Sequence, residues 1–377
     1  MFNSQINTFK TFFYVSLTIL FFGDVMVFSA AQVVGLNTGG SSFAISWKQI
    51  FVSIASLPFA WVIAQIPLDN LKKIAAISIF FALGFMALLI PFGREVNGNT
   101  NWIDIGPIDF QPSEVAKVLL ILWSAFIIEK FANNPVRIFY TLSAGFGAIL
   151  ILVLLGGDLG SAVVIGLILA TLIYLAGADT KYLAFILASG VGGVALLVMM
   201  QPYRIARFTA FVHPFADGIY KNAGWQPAHS LMALGSGGLF GSGIGSSKQK
   251  WGNLAEAHTD FIFGVIGEEF GLLGTLSTII AISLLVICII KIALSAKDTF
   301  SRYLGLGIAF WIGVQSLINL ASATSLIPVV GVTLPFISYG GSSLLALGGA
   351  LGFVAGIALR NPQVSKEINV RWPKGAK

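Results

Sequence analysis

The chain has 377 residues, of which 56% are hydrophobic and only 10% are charged. Soluble domains carry about 25% charged residues, so a water-soluble fold of this size would lack the charge to cover its surface. Composition therefore excludes a soluble enzyme, a nucleic-acid-binding domain and a disordered protein. The net charge of +6 is explained more simply as orientation charge on the loops of a membrane protein than as a nucleic-acid footprint. The single cysteine, Cys288, lies in an apolar run, so no intrachain disulfide is expected.

Apolar stretches of spanning length recur along the chain and predict about ten transmembrane helices. These helices are expected near residues 12–35, 48–68, 73–92, 113–131, 138–157, 160–177, 182–200, 261–291, 302–323 and 341–360. The first stretch is too long for a cleavable signal peptide and is followed by no small-residue cleavage site. The expected fold class is an all-α polytopic membrane protein, with one domain over residues 1–377.

Lysine and arginine positions predict the orientation. If the N-terminus is cytoplasmic, the inner segments hold fourteen basic residues, whereas the short outer segments hold only Lys48 and Arg94. The long outer segment 201–260 adds five more, but long loops translocate largely regardless of charge. Both termini are therefore expected in the cytoplasm. Three polar segments, 93–112, 201–260 and 324–343, then share the outer face.

The first outer segment leads into a helix start at residues 111–114. Glu114 and Lys117 lie three residues apart on one helical face, close enough to pair. That pair is either structural or part of a functional site. Trp102 is likewise either an interfacial anchor of the aromatic belt or a ligand contact.

Acidic residues at the outer ends of predicted helices are the next candidates. Asp158 lies in the sequence GGDLGS. Placing its charged carboxylate at membrane depth costs about 3 kcal/mol or more unless the group is paired or hydrated. The residue is equally compatible with a helix cap. His258 and Asp260, with Glu256 nearby, suit either a divalent ion or acid–base chemistry. Thr259-Asp260 before an apolar run is also typical of an ordinary helix start.

Two further features lie on either side of this cluster. Glu268 and Glu269 are about two turns inside the next predicted helix, where water is scarce and a solvated role is harder to argue. The glycine-rich segment 235–248 fits neither the Walker nor the dinucleotide pattern. Its backbone amides still have the chemistry to bind a pyrophosphate.

The last outer segment, 324–343, holds two prolines and several hydroxyls in an otherwise apolar run. Non-helical backbone at membrane depth is tolerated only where protein buries it or where it lines a cavity. The segment therefore predicts a substrate cavity open to the outer leaflet. Arg204 and Arg207, at the outer end of the seventh predicted helix, would suit a phosphate group, although basic residues near lipid headgroups are common.

Four motifs, in order along the chain, resemble those of the SEDS family (shape, elongation, division and sporulation). They are NGNTNWIDIGPIDFQPSEVAK at 97–117, GDLG at 157–160, AHTDFIF with GEE at 257–269, and LPFISYGGSS at 334–343. The chain resembles the division branch, typified by FtsW, more than the elongation branch, typified by RodA. The features that favour the division branch are QPAHSLMALGSGGLFGSGIGSSKQK and TLPFISYGGSSLLA.

The resemblance implies a ten-helix glycosyltransferase of the bacterial cytoplasmic (inner) membrane. Such enzymes polymerise lipid II, a disaccharide-pentapeptide on undecaprenyl pyrophosphate, at the outer face. The implied partners are the lipid-linked glycan, a class B penicillin-binding protein, other division proteins and membrane lipids, with no nucleic acid. A divalent cation (Mg or Mn) is compatible with the chemistry, but no cofactor is implied with certainty.

In the family, the aspartate of the HTDFIF motif is the essential residue, and it corresponds to Asp260, which is also a possible metal ligand. The family's other site residues correspond to Trp102, Glu114, Lys117 and Asp158. The remaining expected substrate-binding or supporting residues are Arg204, Arg207, His258, Thr259, Glu268, Glu269, Ser338, Tyr339, Ser342 and Ser343. The chain departs from the family pattern at Asn101, Gly157, Gly252 and Ala255.

In the expected reaction, Asp260 takes the proton of the acceptor sugar's 4-hydroxyl while the lipid-linked pyrophosphate of the growing strand leaves. Lys117, Arg204, Arg207 or a metal ion would stabilise the leaving group. Three alternatives remain at this stage: an elongation-type polymerase, a lipid II flippase that uses the same cavity, and a non-catalytic scaffold of the division complex. Polar motifs crowd the outer face, which favours an enzyme over a flippase, because transporters need access from both sides.

Overall fold

The computed structural model describes residues 4–37, 43–96, 98–105, 108–200 and 202–368. Fourteen helices and three short strands follow one another in this part of the chain. The helices are α1 (Gln5–Asn37), α2 (Ala44–Ala64), α3 (Leu68–Ala87), α4 (Leu89–Phe92), α5 (Pro112–Lys130), α6 (Pro135–Leu155), α7 (Leu159–Leu175), α8 (Thr180–Met199), α9 (Pro202–Val212), α10 (Trp225–Ser236), α11 (Ile262–Ser295), α12 (Thr299–Ala323), α13 (Gly341–Leu359) and α14 (Pro362–Glu367). The strands are β1 (Arg94–Val96), β2 (Asn99–Ile105) and β3 (Ile108–Phe110).

Each of the ten predicted spans corresponds to a helix, namely α1, α2, α3, α5, α6, α7, α8, α11, α12 and α13. Eight of the described helical segments are long and apolar enough to cross a membrane. The other two predicted spans are α7, which has 17 residues, and α5, whose 19 residues include four charged side chains. The prediction of an all-α polytopic membrane protein is confirmed.

Helix α5 lies at the centre of the bundle. Most of its side chains are buried, and it packs against α3, α12 and α13 as well as α6 and α7. Helix α8, by contrast, has no buried residue and packs chiefly against α7 and α9. Two charged side chains of α5, Glu114 and Lys117, are therefore inside the protein, whereas α8 stands at its edge.

Small residues bring α2 and α13 close together. A Cβ atom added to Gly352 of α13 would lie 2.5 Å from the Ala60 carbonyl oxygen of α2. Such close backbone approach is typical of helix pairs in membranes, where small residues let packing forces act. The contact holds the N-terminus of α13 beside the first turns of α2.

The sequence did not predict the elements that lie between the spans. Residues 94–110 form an antiparallel sheet in the order β1-β2-β3, with Arg94 opposite Trp102. The outer segment 201–260, expected as a loop, contains α9 and α10. These additions leave the helical fold class unchanged and supply part of the wall of the cavity described below.

Helix α11 is broken at Gly271, whose φ of 67° is in the left-handed region. Thirty-four helical residues would measure about 51 Å, well beyond the roughly 30 Å of a bilayer core. The break separates the first nine residues from the spanning part. At the break the Leu272 amide donates to the Gly238 carbonyl oxygen at 2.9 Å. The turn after α10 thus satisfies backbone that the break exposes.

Candidate active site

A cavity of about 900 Å³ opens where the ends of several helices meet. The three segments predicted to share one face all contribute to it, together with the ends of α2, α7, α8 and α9. Eight of the predicted site residues line it: Trp102, Asp158, Arg207, His258, Thr259, Asp260, Tyr339 and Ser343. Residues that are distant in sequence thus meet in one polar site.

Asp260 lies in the turn just before α11, and its side chain is half-buried. It does not cap the helix, because the N-cap residue is Phe261 and no side chain bonds the first turn. The Asn319 amide of α12 donates to the Asp260 backbone oxygen at 2.8 Å and to the Val332 oxygen at 2.7 Å. Gly331 passes so close that an added Cβ would lie 3.5 Å from Asp260 Oδ2.

The charge state of Asp260 follows from its surroundings. Burial raises the pKa of its carboxyl from 3.8 to about 7, and the negative charge of Glu256 adds to the effect. The positive charge of Arg207 opposes them, and the negative charge of Asp158 makes a smaller contribution that raises the pKa. A carboxylate with a pKa near neutrality is suited to accept a proton and release it again.

The residues just before Asp260 form a tight turn. Glu256 has a φ of 56°, and its carboxylate accepts a hydrogen bond from Thr259 Oγ1 at 2.8 Å. Burial lowers the pKa of the His258 imidazole, against the opposing charge of Glu256, so the ring is neutral near pH 7. The His258 ring lies 5.6 Å from the Tyr339 ring. The turn therefore presents a carboxylate and a neutral imidazole to the cavity.

Asp158 combines the two roles that the sequence left open. It caps α7 by accepting from the Ser161 amide at 2.9 Å and from Ser161 Oγ at 2.7 Å. It also lines the cavity, where Asn101 Nδ2 and Gln111 Nε2 donate to its Oδ2 at 3.3 and 3.2 Å. Asn101 thus holds Asp158 as a neutral donor. The carboxylate has four hydrogen bonds and no ion pair among the described residues.

Trp102 is on β2 and its half-buried ring lines the cavity. Its strand partner Arg94 also reaches the cavity and pairs with Asp104 at 3.0 Å and Asp109 at 3.4 Å. The sheet therefore forms one rim of the site. This position favours a ligand contact over a purely interfacial anchor.

The segment between α12 and α13 is not helical over residues 326–340 and borders the cavity, as its prolines predicted. Two serines, Ser338 of this segment and Ser342 of the first turn of α13, are structural. Ser338 Oγ donates to the Thr259 oxygen at 2.6 Å, and Ser342 Oγ donates to the Asp109 oxygen at 3.1 Å. They tie this segment to the Asp260 turn and to β3, whereas Tyr339 and Ser343 line the cavity itself.

Glu114 and Lys117 form a buried ion pair at 2.8 Å, as their spacing predicted. The Lys117 ammonium also bonds Gln315 Oε1 at 2.7 Å, and Gln315 Nε2 donates to the Thr333 oxygen at 3.1 Å. Neither member of the pair lines the cavity, but Thr333 does. Lys117 is thus placed behind the cavity wall, where it acts on the site through Gln315.

Glu268 and Glu269 lie away from the cavity and hold the segment that leads to Asp260. The Lys248 amide donates to Glu268 at 2.8 Å, and the buried Lys250 ammonium pairs with Glu269 at 2.7 Å. Ser29 of α1 donates to the same Glu269 carboxylate at 2.7 Å. Backbone amides of the glycine-rich segment donate to α11, from Ser242 to the Glu268 oxygen at 2.9 Å and from Gly243 to the Glu269 oxygen at 3.0 Å. Its expected role as a pyrophosphate cradle therefore has no support in this geometry.

The two predicted arginines belong to α9. Arg207 is exposed and lines the cavity beside Phe208. The side chain of Arg204 falls outside the described residues. Together with Val194 and Val198 of α8, this flank combines positive charge with apolar side chains.

The candidate metal site at Asp260 was tested against the donors around it. Within the described ranges, no three His, Cys, Asp or Glu side chains are grouped to hold a metal ion. The described donors around Asp260 therefore do not fit a metal ion held by the protein alone.

Several cavity residues were missed by the sequence. Lys48 and Gln49 of α2, Arg94 and Asp109 of the sheet, and Gln111 before α5 all line the site. None belongs to a recognisable chemical pattern. The one available signal was that Lys48 and Arg94 were the only basic residues in the short outer segments.

The fold and the cavity define a class: a multi-pass membrane protein with a polar, acidic site at the ends of its helices. The model of the FtsW/RodA/SpoVE family of cell cycle proteins matches residues 9–363. The chain belongs to this family, and the resemblance to the SEDS family is confirmed.

Relatives and solved structures agree with this assignment. The chain is 35% identical over 367 residues to a probable peptidoglycan glycosyltransferase FtsW of Haemophilus ducreyi, covering 93% of this chain and 90% of the relative. It is 36% identical over 353 residues to the one of Coxiella burnetii, covering 91% and 94%. The crystal structure of Thermus thermophilus RodA superposes with a TM-score of 0.70 at 28% identity, covering 93% and 97%. A chain of a solved peptidoglycan synthase complex superposes with a TM-score of 0.72 at 26% identity, covering 93% and 98%.

Proposed function

We propose that the chain is a peptidoglycan glycosyltransferase that polymerises lipid II at the outer face of the bacterial cytoplasmic membrane during cell division. Family membership and the relatives named as FtsW support the activity and the division role. The observation that carries the proposed chemistry is Asp260, a carboxyl with a pKa of about 7 in a cavity large enough for sugar rings. The distribution of lysine and arginine among the loops predicts that this cavity faces the cell exterior.

The reaction assigned to this site is an inverting displacement. The 4-hydroxyl oxygen of the acceptor sugar forms a bond to the anomeric carbon of the lipid-linked strand. The bond from that carbon to the phosphate oxygen breaks, and the pyrophosphate leaves with its electron pair. The hydroxyl proton passes to the Asp260 carboxylate. Positioned base catalysis of this kind contributes about 10²–10⁴-fold.

Other cavity residues support this step. Asn319 and Ser338 hold the turn that carries Asp260, while Trp102 offers an aromatic surface for a sugar ring. Arg207 provides positive charge for the leaving pyrophosphate. The apolar side chains of α8 and α9 on the same flank suit the lipid part of the substrate.

A class B penicillin-binding protein is the proposed partner. The structural neighbour from a peptidoglycan synthase complex supports this pairing, since that complex joins polymerisation to crosslinking. Such a partner would crosslink the strand that leaves the cavity.

The test is polymerisation of lipid II by purified protein in detergent, with products resolved by gel. Detergent removes the two sides of the membrane, so a flippase has no activity to show. Asp260→Asn should reduce the rate by at least 10²-fold. Asp217→Asn, an exposed carboxyl of the same outer segment, is the matched control and should leave the rate unchanged. Full activity of Asp260→Asn would contradict the assignment, and an inactive wild type would favour the flippase or scaffold alternatives.

A further inference from the structure

The N-terminus of α13 opens into the cavity. Gly340, Gly341 and Ser343 line the cavity there, and the N-cap residue Gly340 offers no side chain to bond the first turn. The first amides of a helix have no partner within the helix and carry a partial positive charge. This end of a 19-residue helix is therefore able to attract an anion.

A buried amide side chain points to a ligand at the same place. Gln49 of α2 is only 1% exposed and lines the cavity. Its Oε1 accepts from the Gly340 amide at 3.4 Å, which fixes the orientation of the carboxamide. Its Nε2 has no hydrogen-bond partner among the residues that the structure describes. Buried donors are nearly always satisfied, so an unpaired one beside a cavity indicates a missing acceptor.

The remaining groups at this position are also donors. Lys48, the neighbour of Gln49, is exposed to the cavity and makes no ion pair within the described part of the chain. The Ser343 hydroxyl lies in the first turn of α13. The nearby carboxylate of Asp109 is already paired with Arg94 at 3.4 Å. Amide, ammonium, hydroxyl and helix N-terminus together are typical of a phosphate site.

We propose that Lys48, Gln49, Ser343 and the N-terminus of α13 bind the diphosphate of the acceptor lipid-linked sugar. This inference rests on the proposed function, because a polymerase must hold two lipid diphosphates at once. The α9 flank, with Arg207, takes the diphosphate that leaves. The α13 flank takes the diphosphate that stays, whose charge does not change in the reaction. One lysine with neutral donors suits the binding of a diphosphate whose charge is the same in the ground state and the transition state.

The roles of the two flanks differ in their kinetic consequences. A group that binds the acceptor equally in the ground state and in the transition state affects KM, whereas a group that stabilises the leaving diphosphate affects kcat. Loss of a hydrogen bond to a charged ligand is expected to weaken binding about tenfold. Gln49→Leu and Lys48→Met should therefore each raise KM for lipid II about tenfold, with kcat within a factor of two.

A direct binding experiment separates this inference from the proposed function. The full-length protein is placed in phosphatidylcholine nanodiscs and titrated with undecaprenyl diphosphate. Undecaprenyl diphosphate is also the leaving group of the reaction, so it is expected to bind once at each flank. The same two variants should weaken the binding event at the α13 flank about tenfold and leave the one at the α9 flank unchanged. The controls are Lys73→Met and Gln65→Leu, which lie outside the cavity and should bind normally. Because Lys48 is exposed, its variant tests the site even if Gln49→Leu does not fold.

Each outcome is decisive. Unchanged binding and KM in Lys48→Met would overturn the inference, and so would a fall in kcat at constant KM. Phosphatidylglycerol displacing the diphosphate at equal concentration would also overturn it, by showing a general lipid-headgroup site. If the wild type makes no glycan but binds the diphosphate through Lys48 and Gln49, the subsite stands and the proposed function fails.

Discussion

The rate of glycan polymerisation should rise with pH through about 7, because Asp260 must be ionised before it accepts a proton. Burial, followed by the charge of Glu256, raises the pKa of Asp260 from 3.8 to about 7. At pH 6 about a tenth of the free enzyme then has the ionised base, and at pH 8 about nine tenths. The perturbation that tests this reasoning is Glu256→Gln, which removes one negative charge and keeps an acceptor for Thr259.

The assay is kcat/KM for lipid II between pH 5 and 9, since this ratio reports the pKa of the free enzyme. We expect a rise of about tenfold between pH 6 and 8 for the wild type, and a midpoint at lower pH for Glu256→Gln. Asp217→Asn should keep the wild-type midpoint. A flat profile, or a rate that falls as the pH rises through 7, would refute the role of Asp260 as base.

The same pKa has a consequence for stability, with a definite sign. The folded pKa of Asp260 lies above the unfolded value, so the folded state holds this proton more tightly. Ionisation therefore destabilises the fold progressively as the pH rises from about 4 to 7, and the full cost is present above 7. From 3.8 to about 7, that cost is at most on the order of 4 kcal/mol. Asp260→Asn should raise the melting temperature at pH 8 but not at pH 4.

Two further predictions concern stability. Lys117→Met should destabilise the fold by about 3–5 kcal/mol, because it leaves the Glu114 carboxylate buried without its partner, and combining it with Glu114→Gln should recover much of the loss in thermal denaturation. Gly271→Ala should lower the melting temperature for two reasons. A φ of 67° is strained for a residue other than glycine, and the added Cβ would lie 2.5 Å from the Gly241 nitrogen. Gly235→Ala, where an added Cβ contacts nothing within 4 Å, should be neutral, and equal effects of the two glycine variants would contradict this explanation.

The spans were predictable because a bilayer imposes one length and one polarity on every crossing helix. Their outer ends could therefore be placed on one face, and Asp158, Asp260 and the 324–343 segment were expected together there. The sheet was not predictable, because β1 and β3 have only three residues each, which is too short for a period of two to be recognised. The sheet is held in place by the ion pairs of Arg94 with Asp104 and Asp109 and by packing at the cavity rim. A local sequence pattern shows neither of these interactions.

The roles within the site were less predictable than its position. Glu268 and Glu269 have the pattern of functional acids inside a membrane helix, but their partners are in residues 247–250, about twenty positions earlier. Only the folded chain shows that these two glutamates hold a loop. Gln49 is the opposite case. A lone glutamine at the start of an apolar helix belongs to no motif. Only its unpaired Nε2 beside α13 indicates a ligand-binding role.

Neutral donors hold Asp158, Glu256 and the backbone of Asp260 in the cavity, and this explains how one site can act on both a hydroxyl and a diphosphate. Asp158 is held by two amide side chains and a serine, Glu256 by a threonine, and the Asp260 backbone by Asn319. Of the ion pairs between described residues, none includes these three acids. A lysine or arginine in direct contact with Asp260 would lower its pKa and weaken it as a base near neutral pH. Separating the cations of the cavity from Asp260 keeps the base effective and leaves positive charge for the phosphates of the substrates.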